Sequence, residues 1–173
     1  GYDLIILSPV PNSSSTGLVS IEALDKPKLL LKPFQLGSTR WNWGVAANTG
    51  LSTVTISNKT HEIFTGLAFT GTNNDELQLF TSVTTNGVTG IKSWYGTPTV
   101  TTLGKALNAD TTSIVEIPVG TVMGPTGLTT TTTQRFLMIG ISEYSTANLT
   151  ATATQLIENA CYYLLGMTVP GKV

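Results

Sequence analysis

Charge is what this chain has least of. Only 11% of its 173 residues are Asp, Glu, Lys or Arg, nine basic against ten acidic, for a formal net charge of −1. That is less than half the usual charged share. A surface of this kind has no basic field to hold a phosphate backbone, so nucleic-acid binding is excluded. Cysteine is nearly missing as well. Cys161 stands alone, so neither a disulfide framework nor a cysteine–histidine metal set can be built. Histidine occurs once, at His61. No apolar run approaches the ~18 residues that a membrane-spanning helix needs, so membrane insertion by such a helix is excluded. No signal-peptide pattern precedes the strand-like run that starts at Tyr2, so export cannot be read from that end. The glycines follow neither the dinucleotide nor the P-loop pattern, and no G-x-S-x-G elbow occurs.

What is present is hydrophobic and hydroxylated. Hydrophobic residues reach 40%, too many for a disordered chain, and 173 residues can bury one continuous core. Polarity comes mainly from Thr, Ser and Asn. Threonine is β-branched and suits exposed strand faces, so much of the surface is expected to be sheet or extended loop. Low charge with abundant Thr favours an extracytoplasmic location.

Three continuous apolar runs read as buried strands: Leu4–Leu7, Leu29–Leu31 and Phe136–Ile141. Between the first two, Ser13 to Thr16 offer N-cap oxygens to a short helix through Leu18, Ile21 and Leu24, ended by Asp25-Lys26-Pro27. Strand, helix, strand at this spacing suits a right-handed parallel crossover. The middle of the chain changes character. STVTISN, ELQLFTSV, the runs from Gly87 to Asn108, and TSIVEIPVG alternate or are short, as antiparallel strands and turns would be. TGLTTTTTQ, Thr126 to Gln134, reads as a solvated loop or strand lead-in. Near the end, Ala153, Leu156, Ile157, Ala160, Cys161, Leu164 and Leu165 recur at helical spacing. Thr150 is placed to cap that helix and Gly166 to end it. These elements predict a single α/β layered domain over 1–166, with an antiparallel insertion and few helices, and the start of a linker over 167–173.

HEIFTGL followed by DELQLF resembles the "His-Pro-Ile…Gly-Leu…Asp-Glu-Leu" segment of ThuA-like proteins, of the class I glutamine amidotransferase-like superfamily. YDLIILSP with KPKLLLKPF, and RFLMIGISEYSTANLTATATQLIENACYYLLG, are similar to the paired central strands and the closing strand–helix of secreted bacterial relatives. The resemblance spans Tyr2 to Gly166. It implies a flavodoxin-like three-layer domain with central parallel strands, here without a further N-terminal strand–helix–strand unit. It also implies where a catalytic triad would stand, and there the sequence departs from the pattern. The turn after KLLL offers Lys32 and Pro33 in place of a nucleophilic Cys. RFLMIGI is followed by Ser142, Glu143 and Tyr144, with no imidazole. The expectation is a non-catalytic accessory, interaction or assembly domain of an exported bacterial protein, without catalytic residues or cofactor.

The remaining residues are read one by one. His61 is expected to brace the IFTGL turn; the contrary reading makes it a general base beside Glu62, in a hydrolase with a novel site. Cys161 is expected to pack as a small hydrophobe. Asp75, Glu76 and Asp110 are oxygen donors without calcium-loop spacing, so no metal site is expected. Trp41 and Trp43, with Arg40 and Asn42, and the Trp94-Tyr95 pair are candidates for stacking on a glycan, which would make the chain a carbohydrate-binding module. The alternative is that these rings fold back over bare sheet faces. A low-charge surface and an open strand edge favour self-association, or docking with other domains of the same protein.

Overall fold

The computed structural model describes residues 1–11, 16–82, 86–107 and 110–171. In chain order its strands are β1 (Ile5–Leu7), β2 (Lys28–Leu30), β3 (Gly44–Asn48), β4 (Thr53–Ile56), β5 (Glu76–Gln78), β6 (Thr89–Trp94), β7 (Thr101–Ala106), β8 (Thr112–Ile117), β9 (Val122–Met123), β10 (Thr130–Thr131) and β11 (Phe136–Ile139). Its helices are α1 (Thr16–Val19) and α2 (Ala151–Leu164), with 3-10 turns at Ser20–Ala23, Pro33–Leu36, Glu62–Phe64 and Glu143–Asn148. The N-cap expected from Ser13 to Ser15, and the run's end at Asn108, lie outside the described residues.

Among the described residues β1–β8 and β11 form one mixed sheet, with a main path β1-β2-β11-β8-β7-β4-β5, while β9 and β10 make a separate ribbon. The three apolar runs are neighbours: β1 pairs parallel with β2, and β2 parallel with β11. Beyond them every pairing is antiparallel, starting with β11 against β8. Within this sheet, chain length alone requires this only between β7 and β8, joined through 107–111, because a parallel step needs a crossover of a dozen or more residues.

The expected flavodoxin-like three-layer α/β domain is therefore overturned. The described fold is mostly β, with one helix of fourteen residues and one of four. A three-layer fold needs helices over both faces of its sheet. Here α2 covers one face only. Along the strands, Leu29, Leu137 and Ile139 point toward α2, joined by Val54, Ile56, Leu77, Leu103, Ala153, Leu156 and Ala160. The alternate residues Leu30, Phe136, Met138, Val115 and Ile117 point the other way, onto Leu36, Trp41 and Trp43. The second layer on that face consists of the 33–36 turn, the two indoles and the β3–β6 ribbon.

That ribbon leaves the sheet at a fork. The amide of Thr89 donates to Gly140 O at 3.1 Å, the Gly140 amide donates to Ser113 O at 2.7 Å, and Ile91 pairs with Thr112. Backbones pass so closely there that a Cβ on Gly140 would collide with the Thr89 carbonyl, and one on Gly90 with the Thr112 carbonyl. Glycine at both places is a requirement of the branch.

α2 begins where Thr150 Oγ1 accepts from the Ala153 amide at 3.0 Å, and that hydroxyl donates to Gln78 O at 2.7 Å, tying the cap to β5. Gly166 follows in the left-handed region, φ +68°. The chain does not leave the body at that point: Val169, inside the stretch expected to start a linker, is fully buried.

Candidate functional site

The densest side-chain chemistry of the α2 face gathers around Glu116. TSIVEIPV places it on β8 between Val115 and Ile117, which face the other layer, so strand alternation turns its carboxylate toward α2. Tyr163, in the last turn of α2, donates its hydroxyl to Glu116 Oε1 at 2.6 Å. Arg135, the residue before β11, sets Nε at 3.2 Å from the same oxygen. His61 brings Nε2 to 3.5 Å from Oε2. The Arg135 guanidinium lies over the Tyr163 ring at 4.7 Å, and the His61 and Tyr163 rings meet edge to face at 4.9 Å.

His61 holds its place through the backbone. It is the N-cap of the 62–64 turn, and its Nδ1 accepts from the Ile63 amide at 3.4 Å. An accepting Nδ1 assigns the ring proton to Nε2, the nitrogen that faces Glu116. Ile63 and Phe64 then sink into the core, and Gly66 turns the chain at φ +72°. Asn159 of α2, itself buried, donates through Nδ2 to Ile63 O at 2.9 Å and Thr65 O at 3.0 Å. The turn is thus fastened to α2 by Asn159 and to β8 by His61.

The electrostatics of Glu116 and Tyr163 follow from these contacts. The hydrogen bond from His61, with that from Tyr163 and the charge of Arg135, holds the Glu116 carboxyl below its ordinary value despite its burial. Burial first, and then the bond to Glu116, push the Tyr163 hydroxyl up to about 12. At neutral pH one group is therefore fixed as an anion and the other as a neutral phenol. Both imidazole nitrogens have partners.

The other sequence-predicted residues fall elsewhere. Trp41 and Trp43 are 3% and 1% exposed, at 5.2 Å between centroids and tilted by 52°, with Phe136 against both. Neither indole offers an open face for a sugar ring. Arg40 Nη1 donates to Phe34 O at 3.1 Å, and Asn42 occupies the left-handed region at φ 57°. Trp94 and Tyr95, at the end of β6, are partly buried, and the Tyr95 amide donates to Trp43 O at 2.8 Å. Asp75 and Glu76 sit at β5, whereas Asp110 lies in the turn before β8. Among the described residues no group of three His, Cys, Asp or Glu side chains is gathered to hold a metal ion. Cys161 packs at the border of the α2 core, and burial raises its thiol above the ordinary value. At the carboxyl end of β2, Lys32 Nζ donates to Pro9 O at 2.5 Å and Pro33 opens a 3-10 turn, so no nucleophile stands there.

Sequence reasoning missed Glu116, Arg135, Tyr163 and Asn159. One signal was available: Glu116 is a lone acid inside an apolar strand, and such a residue is seldom buried without partners. No protein-family model matches the chain, and no curated protein matches it.

Proposed function

We propose that this chain is a non-catalytic accessory and assembly domain of an exported protein, and that it associates with a second copy of itself along β1. The observation that carries the reading is the outer edge of that strand, which pairs with no strand but β2 among the described residues. Ile5 N donates to Pro27 O at 3.0 Å and Leu7 O accepts from Leu31 N at 2.9 Å, so these two residues spend their backbone groups on β2 and its flanks. Strand alternation then points the N–H and C=O of Ile6 outward. The Ile6 side chain is 50% exposed, and Tyr2 and Val10, just outside the strand, are exposed too. An edge that is apolar and carries few charges is a template for another strand.

Export is supported by the low charge and the abundance of threonine. The turn after KLLL carries Lys32 and Pro33 and no thiol, which supports the non-catalytic half. A Glu116 cluster whose members are bonded to one another supports it as well. Sedimentation velocity at micromolar concentration tests the assembly, with Ile6→Lys as the comparison. Dimers or larger species in the wild type and monomers in the variant are expected. A wild-type chain that stays monomeric at 100-fold higher concentration overturns the assembly, and hydrolysis of a test substrate that Glu116→Gln abolishes overturns the non-catalytic reading.

A further inference from the structure

The two buried tryptophans are roofed by a segment that barely belongs to the core. In the stretch 17–25, which runs from α1 through the 20–23 turn, only Leu18, Ile21 and Glu22 are half-buried and the rest are exposed. Its grip on the domain is mainly polar, and the donors belong to the body beneath. Trp41 Nε1 donates to Leu18 O at 3.2 Å, and Gln35 Nε2 to the same oxygen at 3.3 Å. Trp43 Nε1 donates to Glu22 Oε1 at 2.8 Å. Lys28 Nζ donates to Leu24 O and to Lys26 O, and Gln134 Nε2 donates to Asp25 Oδ1 at 3.0 Å. Ile21 is the apolar contact with the layer of Trp41 and Trp43.

Below the segment, Trp41, Trp43 and Phe136 pack on one another at 5.2 to 6.0 Å between centroids, with Lys28 Nζ 4.5 Å from the Phe136 ring. The trio belongs to a buried cluster with Leu36, Val115, Ile117 and Met138, all outside the segment. Releasing the segment would cost a few hydrogen bonds that water can replace, and little apolar burial. Regions with few buried apolar contacts open separately from the global unfolding unit.

We infer that residues 17–25 are a strap that opens as a unit while the sheet stays folded, latched by the Glu22–Trp43 hydrogen bond, and that its opening uncovers the indole edges of Trp41 and Trp43. Burial pushes the Glu22 carboxyl above its ordinary value, against the bonds from Trp43 and Thr130 and the charge of Lys28. The ionised latch is therefore held at a desolvation cost, which favours release.

Hydrogen exchange of the two indole N–H groups, followed by NMR and corrected for intrinsic rates, tests this directly, because both protons bond to the strap. The Val115 amide, on a strand paired on both sides, reports global opening. In the wild type the indole protons are expected to exchange at least about a hundredfold faster than that amide. Glu22→Ala should accelerate the Trp43 indole by about tenfold, the worth of a hydrogen bond to a charged group, and leave Val115 unchanged. Glu22→Gln, which keeps an acceptor oxygen, should fall between. Indole protons that exchange no faster than Val115 in the wild type overturn the inference. So does a Glu22→Ala variant in which all three accelerate equally.

Discussion

Replacing Glu116 by Gln removes one charge and almost no volume, so its effect isolates what the carboxylate does. Three donors converge on that carboxylate: Tyr163 at 2.6 Å, Arg135 at 3.2 Å and His61 at 3.5 Å. A hydrogen bond to a charged group contributes about 1.5–3 kcal/mol, against about 1 for a neutral one, so the Tyr163 bond should lose roughly 1 kcal/mol. Arg135 is 44% exposed, and a pair that open to solvent adds well under about 1 kcal/mol. His61 would face an amide that presents a donor as readily as an acceptor. The sum is about 1–2 kcal/mol at pH 7, or roughly 2–8 °C in Tm for a domain of this size. Urea unfolding should show it as a lower midpoint at an unchanged slope. The pH dependence gives the sharper test. The folded-state pKa of Glu116 lies below its ordinary value of 4.5, so its contribution is complete above that value and is lost as pH falls through the folded pKa. The gap between wild type and Glu116→Gln should then narrow as pH falls below 4.5. A double-mutant cycle with Tyr163→Phe should return a coupling of about 1 kcal/mol. A gap below about 0.5 kcal/mol at pH 7, or one of equal size at pH 7 and pH 3, refutes the reasoning.

Asn159→Ala strips the donors from two carbonyls, Ile63 O and Thr65 O; at about 1–3 kcal/mol for each acceptor left without a partner, a loss near 3 kcal/mol is expected in urea unfolding. Gly140→Ala places a methyl group against the Thr89 carbonyl at the fork of the sheet; no folded protein should be recovered, as judged by near-UV circular dichroism, whereas Gly17→Ala, where a Cβ meets nothing, should fold normally. Thr150→Ala removes the α2 cap and should cost about 1 kcal/mol in thermal unfolding. Cys161, with its thiol raised by burial and by Glu158, should react with iodoacetamide at pH 7.5 roughly tenfold more slowly than a free cysteine; reaction at the free-thiol rate would show that this side of α2 is open.

Local chemistry explains which elements were readable. Leu29–Leu31 and Phe136–Ile141 are continuous apolar runs because their strands are buried on both faces, whereas Leu4–Leu7, read the same way, forms an edge strand with Ile6 half exposed. α2 carries its own spacing, cap and glycine stop, all within seventeen residues. His61 was expected at a turn, and it caps the one at Glu62–Phe64. Its second partner was not, because Glu116 lies far along the chain. The W-x-W pair illustrates the limit most plainly. Residue type said that two indoles need cover, and it could not say whether a ligand or the chain itself supplies it.

The amino-acid sequence by itself determined one long C-terminal helix, three strongly apolar strands, and a low share of charged residues. Those properties reside in periodicity and composition, which depend on near neighbours. The three-dimensional arrangement alone decided that β8 joins β11 antiparallel, so that the parallel group ends after three strands and the molecule becomes mostly sheet. It alone turned Trp41 and Trp43 inward under a polar strap, and brought Glu116 together with His61, Arg135 and Tyr163. Register and face are set by which distant segments bury one another, and a short strand carries too little local preference to choose its partner before the core forms.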